Sequence, residues 1–289
     1  MLSKESIKQI VEFQKNEITE YHIYKKLASV VKHEKNSETL DKIADEELRH
    51  YNFWLKHSGI EVKPNRWQIF YFVWIARLFG ITFGIKLMER GENQAQLSYD
   101  EFGSVIPEAR KVKEDEERHE NELTNMIEEE RLEYVGSIVL GLNDALVELT
   151  GALAGFTFAM QNTRLIALAG LITGIAATLS MAASEYLSTK SEDTGEKALK
   201  SALYTGAAYL GTVALLIAPY LIFQHYFFCL AVTLSVAILI ILFFTFYISV
   251  AKDYSFKHRF LEMAGLSLGV AIISFGIGFL IRQTLGVDV

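Results

Sequence analysis

The chain has 289 residues, 51% hydrophobic and 22% charged, and a net charge of −7. That length suits two domains better than one, and an acidic balance with no basic tail argues against nucleic acid as a partner. The single cysteine, Cys229, lies in an apolar run, so internal disulfides and Cys-rich zinc or iron–sulfur sites are excluded.

Charge and apolar residues are segregated. Residues 1–133 hold 26 of the 35 acids and 20 of the 28 bases, leaving nine acids and eight bases for residues 134–289. The first part reads as soluble and acidic, the second as membrane. The N-terminus, "MLSKESIKQIVEFQKNE", has no apolar signal-peptide core, so a domain ahead of the first span is expected in the cytosol.

The only prolines are Pro64, Pro107 and Pro219, so long helices are expected. Helical periodicity runs through 3–30 (Ile7, Ile10, Val11, Ile18, Tyr21, Tyr24, Leu27) and 36–58 (Leu40, Ile43, Ala44, Leu48, Tyr51, Leu55). "HSGIEVKPNR" breaks the chain at 57–66, a third helix is expected from about 67 to 102, and Pro107 introduces a fourth to about 132. Four helices of these lengths suggest a bundle over 1–132. The apolar stretch 67–88 has the length of a membrane span, but it carries Arg77 and Lys86 and runs into "ERGENQAQ". It reads better as a bundle helix whose surplus apolar surface meets a partner subunit or the membrane face.

Within 133–289, spans are expected at about 135–159, 164–188, 199–222, 226–250 and 260–282. Lys190, Lys197 and Lys200 lie in the second loop, and Lys252, Lys257 and Arg259 in the fourth, whereas the first loop has only Arg164, the third no base and the tail Arg282. Those cationic loops are expected inside with the N-terminal domain, and the C-terminus outside. No proline falls between His119 and Asp144, so the fourth bundle helix is expected to feed directly into the first span.

"EELRH" contains Glu47-x-x-His50 and "DEERHE" contains Glu116-x-x-His119. A separation of three puts both side chains on one helix face, where they can bind one ion through a carboxylate oxygen and an imidazole nitrogen. Glu17 precedes Tyr24 by seven residues and Glu92 precedes Tyr99 by seven, so the order Glu…Tyr, Glu-x-x-His occurs twice. One Glu from each of two helices and a Glu-x-x-His from each of the other two is a recipe for a dinuclear site in a four-helix bundle. The competing reading is a solvated acidic bundle. Asp115, Glu117 and Glu120 are read as solvated flank.

With this repeat, residues 5–132 resemble the ferritin-like superfamily, and within it rubrerythrin-type domains. The resemblance implies Fe2+ or Mn2+ held by Glu17, Glu47, His50, Glu92, Glu116 and His119, with Glu89 as an additional ligand on the third helix. Rubrerythrins add a four-cysteine iron site for electron transfer, which this chain cannot build.

The spans contain more than an anchor needs. Asp144 and Glu148 lie four apart in the first, Met181 and Glu185 four apart in the second. A charge at mid-bilayer costs roughly 2.5–3.5 kcal/mol and normally faces a cavity or partner. Carboxylates suit a hard divalent ion and a thioether adds tolerance for Fe2+. Alternatively, Glu148 and Glu185 snorkel or cap helix ends and Met181 packs in the core. "GLNDALVELTGALAG" and "AGLITGIAATLSMAASEYLSTKSE" resemble the first two spans of the vacuolar iron transporter family. That resemblance implies a homodimer that moves Fe2+, and often Mn2+, out of the cytosol in exchange for protons, with Asp144 and Met181 in the pathway. The combination is similar to the membrane-bound ferritin (erythrin–vacuolar iron transporter) proteins.

The expectation is an all-α integral protein of the cell membrane: a cytosolic ferritin-like four-helix bundle followed by a five-helix transmembrane domain. It would export divalent metal along Asp144, Glu148, Met181 and Glu185, with ferroxidase activity in the bundle left open. The alternative is a membrane-anchored di-iron ferroxidase or peroxidase whose spans only tether it.

Overall fold

The computed structural model describes residues 3–31, 33–88, 90, 106, 108–125, 134–192, 195–252 and 254–285. The regular elements among them are helices, and the chain divides into two compact units, Met1–Glu129 and Glu130–Val289.

The first unit contains α1 (Lys4–Ala28), α2 (Glu34–Ser58), α3 (Arg66–Phe79) and α4 (Ala109–Asn125), with further helical residues at 81–88. Ser3 caps α1 by accepting the Ser6 N–H, and Gly59 closes α2 in the left-handed region (φ 65°) that glycine adopts without strain. Lys25 pairs with Asp41 at 2.7 Å, and the Ser58 hydroxyl donates to Gln14 Oε1 at 2.8 Å. One index rises as the other falls, so α1 and α2 are antiparallel. Lys42–Glu122 (2.9 Å) and His50–Asp115 (3.3 Å) set α2 and α4 antiparallel in the same way. Ile23, Leu27, Leu40 and Ile43 pack with Ile69 and Val73 of α3, while Trp54 closes a second cluster with Ile10, Phe13, Ala109 and Val112.

The third expected helix is interrupted. Gly80, at φ 103°, ends α3, and helical residues 81–88 fold back so closely that a Cβ on Gly84 would meet Ala76 Cα at 2.9 Å. Fourteen residues of α3 span about 21 Å, short of the ~30 Å hydrocarbon layer. Glu89, Glu92, Tyr99 and the expected junction with the first span lie outside the described residues.

The second unit consists of α5 (Val135–Met160), α6 (Thr163–Glu192), α7 (Gly195–Ile222), α8 (Tyr226–Ala251) and α9 (Phe256–Leu285), all long and apolar enough to cross a bilayer. They match the expected spans, with α6 and α7 about a turn longer and α9 about two turns longer. Helix α5 is central and packs against the other four. Small residues permit that: a Cβ on Gly141 would meet Thr205 O at 2.5 Å, and one on Gly278 would meet Gly155 O at 2.5 Å. Hydroxyls tie the helices together, Thr205 donating to Ser137 O and Ser267 to Leu146 O.

Candidate metal centre and intramembrane acids

Glu17 on α1, Glu47 and His50 on α2, and Glu116 on α4 each place a ligand atom within 4.8 Å of the others. His119, one turn beyond Glu116, brings its ring centroid to 5.8 Å from that of His50. The two Glu-x-x-His pairs face each other. Glu47 turns Oε2 toward His50 Nδ1 (3.5 Å) and Oε1 toward His119 Nδ1 (3.1 Å). Glu116 turns Oε1 toward His50 Nδ1 (3.3 Å) and Oε2 toward His119 Nδ1 (3.9 Å). Each of these carboxylates therefore spans the gap between both imidazoles. Glu17, Glu47, His50 and His119 are all buried.

Burial raises the Glu17 carboxyl to about 7, with the negative charge of Glu47 adding and His50 opposing. Burial also raises Glu116, against the pull of His50. For the histidines, burial works against the charged form but loses. Glu116, Glu17 and Glu47 hold His50 far above its ordinary value, and Glu47 and Glu116 lift His119 to about 9.

The donor set suits a divalent transition-metal ion. Glu47 Oε2, His50 Nδ1 and His119 Nδ1 are buried and make no hydrogen bond among the described residues. Such atoms are costly unless something satisfies them. All three point into the cluster, where imidazole nitrogen and carboxylate oxygen are donors for such an ion.

Two residues around this cluster escaped the sequence reading. Asp115, expected as solvated flank, instead places Oδ2 3.3 Å from His50 Nε2. Glu46, buried on α2, hydrogen-bonds His119 Nε2 and accepts from Arg118. Burial opposes the Glu46 charge, but His119 and Arg118 hold its carboxyl down to about 2. In "EELRH" and "DEERH" the acid just ahead of the glutamate thus serves the histidine of the other helix. The signal was present as a repeated acid-Glu-x-Arg-His, but an acidic pair on a charged helix looks like solvation. Trp54 was missed as well, and its indole N–H donates to Glu17 Oε1 at 3.2 Å. Glu117 and Glu120 are exposed, as expected.

In the second unit, Ser137, Gly141, Asp144 and Glu148 recur at the spacing of one helical stripe on α5. At one end of it the Ser137 hydroxyl donates to Glu185 Oε1 of α6 at 2.6 Å. At the other the phenol of Tyr209 on α7 donates to Glu148 Oε2 at 2.9 Å. Asp144 is half-buried between them, and Met181 packs partly buried against the core. Asp144, Glu148 and Glu185 are therefore spread along a polar line of about 16 Å, while Met181 is seen only against the apolar core. Tyr209, fully buried, was not anticipated, although a phenol inside an apolar span needs a partner for its hydroxyl.

Residues 135–199, which cover α5, α6 and the start of α7, match the VIT family. No curated protein matches the chain. Five apolar helices together with that match mark an integral membrane protein.

Proposed function

We propose that the chain is a transporter of divalent transition metal, Fe2+ or Mn2+, with a ferritin-like metal-binding domain at its N-terminus. The observation that carries this reading is the VIT family match, because the helices it covers bear Asp144, Glu148, Met181 and Glu185. The polar stripe on α5 is the path. Acids inside an apolar helix are retained where they meet a cavity, a partner or a passing ion, and one or more of them exchanges protons against the metal. The working unit is a homodimer in the cell membrane. The cationic second and fourth loops and the N-terminal unit are cytosolic and the C-terminus is outside, so the ion leaves the cytosol.

In the first unit Glu17, Glu47, His50, Glu116 and His119 would hold the ion, joined by Glu89 and Glu92 in the full expected set. A bound ion supplies concentrated positive charge that the buried carboxylates balance. Asp115 and Glu46 orient the two imidazoles so that Nδ1 of each faces inward. The unit delivers metal to the membrane half or senses its supply.

The test is uptake of Fe2+ or Mn2+ by proteoliposomes containing the full chain. Asp144→Ala should abolish flux, and wild-type-like flux in this variant overturns the pathway assignment. If the wild-type chain binds metal but moves none, the membrane-anchored oxidase replaces the transporter reading.

A further inference from the structure

Residues 62–88 contain four bases, Lys63, Arg66, Arg77 and Lys86, and no acid. This is a local inversion in a part of the chain where acids outnumber bases, and α3 lies inside it. Trp67, Phe70, Tyr71 and Trp74 recur at i, i+3, i+4 and i+7, which is one helical stripe. They are exposed by 79, 62, 50 and 54%. The opposite side of the helix is occupied, with Ile69, Val73 and Ala76 in the core. Arg66 and Arg77 stand exposed at the two ends of the aromatic stripe. An exposed apolar patch of this kind marks an interaction surface.

Two occupants suit an apolar stripe, a second copy of the chain or a lipid surface. Pairing two copies of α3 about a two-fold axis would set cations against cations with no acid on the face to balance them. A lipid surface matches on three counts. The same chain carries five membrane spans, so a bilayer is always within covalent reach. Trp and Tyr rings partition to the headgroup level, and exposed Arg complements anionic lipid. The helix is too short to cross, so it would lie in the plane of the interface.

We infer that the aromatic, arginine-flanked face of α3 docks on the headgroup layer of an anionic membrane. It is an interaction surface distinct from the transport path and independent of which ion is carried.

The protein has three tryptophans, Trp54, Trp67 and Trp74. Trp54 is fully buried, so quenchable emission reports on α3. The full chain is reconstituted in phosphatidylglycerol-containing nanodiscs, with and without a headgroup-nitroxide lipid. The expected result is loss of emission with the nitroxide lipid and little loss with aqueous iodide. The nitroxide effect should vanish in the Trp67→Phe, Trp74→Phe double variant. Replacing phosphatidylglycerol by phosphatidylcholine, or introducing Arg66→Gln with Arg77→Gln, should restore iodide access. Strong iodide quenching of the unaltered chain in anionic discs overturns the inference. So does shielding from both quenchers, which assigns the face to a second copy. Both of these outcomes are read on the unaltered chain and do not depend on any variant folding.

Discussion

Asp115 reaches from α4 to place its Oδ2 3.3 Å from Nε2 of His50 on α2. That contact fixes which nitrogen of His50 is left for an ion, and Glu46 does the same for His119 from the other side. Partners of this kind typically contribute 10- to 100-fold to metal affinity. Asp115→Asn and Glu46→Gln are each expected to weaken Mn2+ binding by about 10- to 100-fold, with helix content by circular dichroism unchanged. A titration of the full protein that returns the wild-type dissociation constant would show that these acids are only surface charge.

Metal should stabilise the fold, because the convergent ligands exist only in the folded unit. With free Mn2+ at about 100 times its dissociation constant, linkage gives about 2.7 kcal/mol. The expected outcome is a rise in thermal midpoint on adding Mn2+ that a chelator reverses. Glu47→Gln should remove most of that rise, since Glu47 faces both imidazoles. A metal-dependent rise of wild-type size in Glu47→Gln would place the ion elsewhere.

Some of this site could be read from spacing alone, and some could not. Glu47, His50, Glu116 and His119 stand out because a three-residue separation on a helix has only one geometric consequence, and a repeat of it is hard to produce by chance. Asp115 and Glu46 do not, because an acid beside an acid is what solubility also produces. Their role depends on how α2 and α4 are aligned, which is a tertiary fact. The break at Gly80 was hidden for a different reason. Its neighbours Phe79 and Ile81 continue an apolar helical pattern, and only the backbone (φ 103°) shows that the helix has ended. The spans were legible because a bilayer demands a length. Tyr209 was not, because its partner Glu148 is 61 positions away in sequence.

Tyr209→Phe keeps the buried ring and removes the hydroxyl that donates to Glu148. The stability loss should be about 1 kcal/mol, the net worth of one hydrogen bond. If that bond orients Glu148 in the path, metal flux in proteoliposomes should fall severalfold in a variant that remains folded. Unchanged flux would mean that Glu148 is positioned by something else.

The close approach of α5 and α9 makes a paired test of packing. Gly278→Ala would place a methyl 2.5 Å from the carbonyl oxygen of Gly155, a backbone atom that cannot swing aside, whereas a Cβ on Gly276 meets nothing within 4 Å. Gly278→Ala is expected to cost about 1–3 kcal/mol, and Gly276→Ala about nothing or a small gain from helix propensity. Thermal unfolding in detergent should separate the two, and equal midpoints would count against the α5–α9 contact.

The crossed contacts His50–Asp115 and His119–Glu46 also bear on how the site can be assembled. Neither five-residue motif is complete by itself, because its leading acid and the Nε2 of its histidine find their partners only when the other motif arrives. Sliding α2 past α4 by one turn would break both contacts together, so the pair acts as a two-point lock on their alignment. A polypeptide bearing one such motif would be obliged to self-associate to satisfy it; two copies in one chain convert that intermolecular requirement into an intramolecular one.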